Sequence, residues 1–268
     1  MTPRNLSLAV LLAAALSFTL PTRLPAQPAE TVVDVELVIA VDISMSMDAK
    51  EQRLQREGYV AAFRDPRVIN AIASGLHQRI AVAFVEWAGT ATQNLVLDWT
   101  LVDGPDAAAE LAARLEALPF TRARRTSISG AIGFSAGLFE NSGFRGLKRV
   151  IDVSGDGPNN QGERVTAARD RAVAQGIVIN GLPFLTAPAS YFAYFDIADL
   201  DLYYADCVIG GPGAFIVPVR DPSEFATAIR QKLVLEIAGP LPAREAANEP
   251  RVPCDIGERI WRMRMDGP

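Results

Sequence analysis

The sequence predicts an α/β fold: a doubly wound, mainly parallel sheet with one antiparallel edge strand and helices on both faces. Two observations carry this reading. Strand-like and helix-like segments alternate along the whole chain, which is the pattern of crossover-connected strands rather than of separate α and β regions. The first strand, residues 35–42, is a β-branched, apolar run of the kind buried on both faces, and it stops at Asp42 with Ser44 and Ser46 following at alternate positions. Ligands of open α/β sheets bind in the crevice beyond the carboxyl ends of the strands. One carboxylate and two hydroxyls placed there are hard oxygen ligands, suited to a small divalent cation, Mg²⁺ first.

The other elements follow in order. Residues 48–63 read as a helix with Leu54, Tyr59, Val60 and Phe63 as apolar contacts, broken by Asp65-Pro66. A short helical segment follows at 68–74. Residues 79–87 are a second strand and 92–98 a third, which returns antiparallel around Gly89. An Ala/Leu-rich helix at 106–118 lies between Asp103-Gly-Pro and Pro119. The polar, basic loop 121–127 leads into a helix at 129–140. Residues 148–154 form a fourth strand that ends in Gly155-Asp156-Gly157-Pro158-Asn159-Asn160. A helix at 163–175 and a fifth strand at 176–182 precede a long irregular stretch, 186–211, rich in aromatics and acids. A last strand is expected at 214–219 and a last helix at 222–237. Beyond Gly239 the Pro-rich, charged composition reads as a tail, and no internal repeat is visible.

The expected organisation is a signal peptide at 1–26, one domain at 27–239 and a C-terminal tail at 240–268. Arg4, an uncharged apolar stretch from Leu6 to Leu20 and a small residue, Ala26, before the cut make a secretory signal. The mature product is then exported, periplasmic or secreted, with no later segment apolar enough to anchor it. Its removal takes away Arg4 and Arg23 and no acid, moving the formal charge from −5 to −7. An acidic chain without basic runs argues against nucleic acid and anionic membranes as partners. Cys207 and Cys254 are the only cysteines. In an exported chain such a pair is most simply a disulfide that ties the tail back; two buried free thiols are the alternative.

Three strand-end loops now stand together: Asp42, Ser44 and Ser46 in the first, Thr126 in the second, Asp156 in the third. In this the chain resembles the von Willebrand factor type A domain with its metal-ion-dependent adhesion site: Asp-x-Ser-x-Ser after the first strand, a Thr in a middle loop, and an Asp before Gly after the fourth strand. The resemblance covers about residues 33–238. The segment Asp206-Cys-Val-Ile-Gly-Gly-Pro-Gly-Ala and the ending Arg230-Gln-Lys-Leu-Val-Leu-Glu-Ile-Ala-Gly look like a bacterial family of exported proteins of unknown function within that class. The resemblance implies that Ser44 and Ser46 bind the metal directly, that Asp42 and Asp156 hold it mainly through waters, and that Thr126 binds directly when a ligand is present. It implies Mg²⁺, or Mn²⁺ or Ca²⁺, as the ion, and an acidic Asp or Glu of a protein partner at its open position. The chain departs from many relatives at Met45, where they carry Gly, and at Gly155, where they carry Thr or Ser. The same Asp and Ser residues also serve as caps and turn formers without any metal.

The remaining residues weigh against an enzyme. His77 is the only histidine and sits in a surface loop, so a Ser/His/Asp hydrolase has no other base. A haloacid-dehalogenase-type phosphatase wants a second Asp where Ser44 stands. The Gly-rich runs at 155–158 and 210–213 lack a phosphate-loop Lys and Ser/Thr. Asp48 and Glu51 are first-turn acids favoured by the helix dipole, not ligands. Arg122, Arg124 and Arg125 read either as a solvated loop or, with Asn159, as a basic rim that draws an acidic partner to the site. Tyr191, Phe192, Tyr194, Phe195, Tyr203 and Tyr204 are expected in the core, with a partner-binding surface near the site as the other reading for some of them. The function expected is thus a metal-dependent protein-binding module; a metal-dependent hydrolase and a metal-free structural subunit are the other readings.

Overall fold

Strand β1 (Thr31–Asp42) is the centre of a five-stranded sheet of order β3-β2-β1-β4-β5 in a computed structural model that describes residues 30–185, 197–239 and 250–265. β2 (Ile80–Trp87), β4 (Phe144–Gly155) and β5 (Ile177–Pro183) run parallel to it, and β3 (Gln93–Val102) pairs antiparallel with β2 at the edge. Ten residues of β1, from Val33 to Asp42, are buried, as a strand covered on both faces requires.

Strand alternation divides the interior in two. Val35, Leu37, Ile39 and Val41 face one core, shared with α1 (Ala49–Phe63), α2 (Pro66–Ala73), α3 (Pro105–Ala117) and α7 (Phe225–Ala238). Val38 and Ala40 face the other, with α4 (Ile128–Leu138), α5 (Val165–Ala174), α6 (Leu200–Tyr203) and the π-helical turn Tyr204–Val208. Asp48 starts α1 as its cap: Oδ1 accepts from the Lys50 and Glu51 N–H groups at 2.7 and 2.8 Å, and Glu51 Oε2 accepts from the Asp48 N–H at 2.9 Å. These acids are thereby accounted for without a metal.

One polar network lies within the first core. The Lys232 ammonium is 2.6 Å from Asp152 Oδ1 and also bonds Glu236, and all three side chains are fully buried. Tyr59 donates to Asp152 Oδ2 at 3.1 Å, and Asn180 donates to Glu236 Oε1 at 3.0 Å. Burial, and then the charge of Asp152, pushes Glu236 up to about 7. The network ties α7 and α1 to β4 and β5.

Three expectations are corrected. Residues 214–219 form no regular strand; they meet β5 only at parallel bridges, Gly181 with Ile216 and Phe184 with Val219. The Val217 and Val219 N–H groups donate to the Gly181 and Pro183 carbonyls at 3.0 and 2.9 Å, but Pro183, at the end of β5, has no N–H to return, and this interrupts the ladder. The tail contains a helix, α8 (Ile256–Met265), where only an irregular segment was expected. Residues 200–208 are likewise helical within the stretch read as irregular. Tyr203 and Tyr204 are fully buried, whereas Tyr191, Phe192, Tyr194 and Phe195 lie outside the described residues, as does the expected signal at 1–26. No helix among the described residues is long and apolar enough to cross a membrane.

Candidate metal site

The register of the sheet brings the strand ends together. Asp42 pairs with Trp87 of β2, and Val41 with Ser154 of β4, so the loops after β1 and β4 leave the sheet side by side. The Ser44 N–H donates to Asp42 Oδ1 at 2.6 Å and turns the loop. Ser44 Oγ lies 2.7 Å from Ser46 Oγ, and Ser46 donates to Asp156 Oδ1 at 2.7 Å. Four of the five expected ligands therefore form one hydrogen-bonded chain across residues more than a hundred positions apart.

Thr126, the fifth, is buried in the adjoining loop. That loop is stitched to the first by the Ala123 N–H on the Ile43 carbonyl at 3.0 Å and by a bridge between Ser44 and Ala123. The Thr126 N–H donates to Asn160 Oδ1 at 3.0 Å, and the Asn160 N–H returns to the Thr126 carbonyl at 2.9 Å. Among the described residues no hydrogen bond joins the Thr126 side chain to the other four. Arg122 is a clasp: one guanidinium nitrogen, Nη2, bonds the carbonyls of Met45 and Met47 at 2.8 and 2.6 Å and fixes the loop that carries both serines.

The donor set fits a hard divalent ion. Asp42 is fully buried, yet its Oδ2 has no hydrogen-bond partner, and among the described residues it makes no ion pair. Desolvation pushes it up to about 7, against the hydrogen bonding from Ser44 that pulls it down. A buried carboxylate of this kind is stabilised when a cation stands beside it. No group of three or more His, Cys, Asp or Glu among the described residues is arranged to hold a metal. Binding here would thus rest on two carboxylates with neutral hydroxyls, which leaves an ion electrophilic.

The proposed rim is changed by the tail. Cys207 and Cys254 form a disulfide, with Cα atoms 5.4 Å apart, that sets α8 against the loop after β4. Asn159 is fully buried: its Nδ2 donates to Glu258 Oε1 at 2.8 Å, and its carbonyl sits against Gly257 so closely that a Cβ there would be 2.0 Å away. Arg125, at φ 76°, lays its guanidinium 3.3 Å from the Trp261 ring centroid. Asn159 is thus an internal bracket and Arg125 an anchor for α8; of the four rim residues, Arg122 and Arg124 are exposed. The signal for this was faint in the sequence, since α8 is short and rich in arginine. His77 is far from the site. Its N–H donates to Asp34 near the start of β1, and the eight residues from there to Asp42 span roughly 26 Å.

By a family model matching residues 32–241, the chain belongs to the protein family of unknown function DUF1194. Its fold is that of the von Willebrand factor A class. Proximal thread matrix protein 1 from the mussel byssus superposes with a TM-score of 0.55 at 12% identity, over 78% of this chain and 49% of that one. A form of the same mussel protein described as having a zinc-occupied MIDAS motif gives 0.52 at 12% identity, over the same shares. The pilus adhesin SpaC from Lactobacillus rhamnosus GG gives 0.54 at 10% identity, over 78% of this chain and 32% of that one. The chain spans about half or less of the length of these structures. No curated protein sequence matches it.

Proposed function

We propose that this family member is an exported binding module that captures an acidic side chain of a protein partner through a divalent ion held by Asp42, Ser44, Ser46, Thr126 and Asp156. The observation that carries the reading is the hydrogen-bonded chain from Asp42 through Ser44 and Ser46 to Asp156, ending on one side in a buried carboxylate oxygen without a partner. Mg²⁺ is the ion of choice, since it keeps several waters and needs few protein ligands. When bound, it supplies an electrophilic position that a carboxylate oxygen can take. The chain's own part is to hold the loop rigid through Arg122, keep Asp42 dry, and present Ser46, half-buried, toward solvent. The zinc-occupied site described for the mussel protein supports a divalent ion at this place in the fold. The Cys207–Cys254 disulfide supports export to an oxidising compartment. Catalysis has little to draw on here, because the only histidine is at the opposite end of the sheet.

Calorimetric titration of the chain with Mg²⁺ and Mn²⁺, with and without acetate, tests the reading. Binding that acetate strengthens and that Ser44→Ala and Asp156→Ala each weaken at least about tenfold is the expected result. A chain that takes up neither ion, even with acetate present, removes it.

A further inference from the structure

Behind Asp42 the structure holds a second unpartnered buried polar atom. Tyr204 is fully buried, and its hydroxyl, like Asp42 Oδ2, has no hydrogen-bond partner among the described residues. A buried tyrosine hydroxyl ordinarily finds one. The two orphans face the same point: a Cβ on Gly155 would lie 2.9 Å from Asp42 Oδ2 and 2.9 Å from Tyr204 Oη. A second glycine makes room for the ring, since a Cβ on Gly181 would lie 2.7 Å from Tyr204 Cδ1. Gly155 and Gly181 stand on the adjacent strands β4 and β5, where Val153 pairs with Gly181 and Gly155 with Pro183. The ring therefore lies across these two strands with its hydroxyl directed to the strand ends. The backbone beneath it is fixed by the turn Tyr204–Val208, which carries the disulfide at Cys207. The neighbouring tyrosine does different work, as Tyr203 accepts a hydrogen bond from the Asn159 N–H at 3.1 Å.

We infer that Tyr204 is a positioning residue of the metal site, whose hydroxyl donates to the Oδ2 face of Asp42 and sets the orientation in which that carboxylate serves the ion. The chemistry is complementary: an ionised carboxylate only accepts, and a phenol has one proton to give. Oδ1 is already committed to the Ser44 N–H, so Oδ2 is the atom left to orient. A small rotation of either side chain, or one intervening water, closes the pair within the space Gly155 leaves. Outer-shell partners of this kind change metal affinity by roughly 10- to 100-fold. The inference rests on the metal-binding reading above.

The test is Mg²⁺ titration of the full chain and of Tyr204→Phe, with thermal unfolding of both in chelator. The expected result is about tenfold weaker Mg²⁺ binding by Tyr204→Phe, with unfolding in chelator unchanged or raised, because an unsatisfied hydroxyl has been removed. Equal affinity in the two chains, or a lowered unfolding temperature at unchanged affinity, overturns the inference and leaves the metal site standing. A parent chain that binds no ion sinks the metal reading instead. Should Tyr204→Phe fail to fold, the tyrosine near-ultraviolet difference spectrum of the parent chain on Mg²⁺ addition decides: a perturbation is expected, and a flat spectrum counts against Tyr204.

Discussion

Replacing Glu236 with Gln isolates the cost of the buried charge network under α7. Lys232 is one cation facing two carboxylates, Asp152 at 2.6 Å and Glu236, all without solvent contact. Burial is the leading cause that raises Glu236 from 4.5 to about 7. A carboxyl raised in the folded state binds protons more tightly there than in the unfolded chain. Its cost is therefore absent below about 4.5, grows as pH rises, and is complete above about 7. At 1.36 kcal/mol per pH unit this amounts to at most about 3 kcal/mol at pH 8. Gln keeps the Oε1 that accepts from Asn180, and Oε2, the atom it replaces, has no partner to lose. Glu236→Gln should accordingly match the parent chain near pH 5 and exceed it at pH 8. Lys232→Met, which leaves two carboxylates uncompensated, should lose about 3–5 kcal/mol at pH 8 and recover as the pH falls. Urea unfolding of the three chains from pH 5 to pH 8.5 measures both effects. A Glu236→Gln chain less stable than its parent at pH 8, by a margin that does not change with pH, refutes the argument. Glu236 would then be a net favourable partner of Lys232.

Three further expectations concern α8 and the loop that carries the serines. The disulfide closes a span of 47 residues, so Cys254→Ser should cost about 4 kcal/mol and release α8, read as faster hydrogen exchange over residues 256–265. Gly257→Ala should release α8 with the disulfide intact, because its Cβ would meet the Asn159 carbonyl at 2.0 Å. Arg122→Ala removes the clasp on the Met45 and Met47 carbonyls. It should lower stability by about 1–3 kcal/mol and weaken Mg²⁺ binding in the calorimeter.

The sequence showed the sheet plainly because its signals are local. The β-branched run of β1 needs burial on both faces, and the spacing of Asp42, Ser44 and Ser46 follows from one turn at a strand end. Helix starts were also legible, as Asp48 and Glu51 form their capping box within four residues. What was hidden depends on distant partners. Arg122 reads as one more loop arginine until the Met45 and Met47 carbonyls stand beside it. Asn159 looks like a surface residue of an Asn-Asn turn until α8 covers it. Tyr204 passes as core aromatic filling, since only the packed structure shows its hydroxyl and Asp42 Oδ2 around the missing Cβ of Gly155. That glycine appeared in the sequence as a departure from a pattern; the fold gives it a reason, for any side chain there would press on both oxygens.

The placement of α8 also limits how a partner can approach. The helix is pinned on the side of the β4 loop by a covalent bond, by Asn159 with Glu258, and by Arg125 with Trp261. In the loops that carry the site Arg122 and Arg124 are exposed, while Met45 and Ser46 are half-buried. An acidic side chain approaching Ser46 from the α8 side would meet Glu258 and then a helix that must be displaced against several contacts. An approach over the basic loop would meet Arg122 and Arg124, both exposed. Electrostatic attraction would thus favour entry of the proposed acidic group across these two arginines.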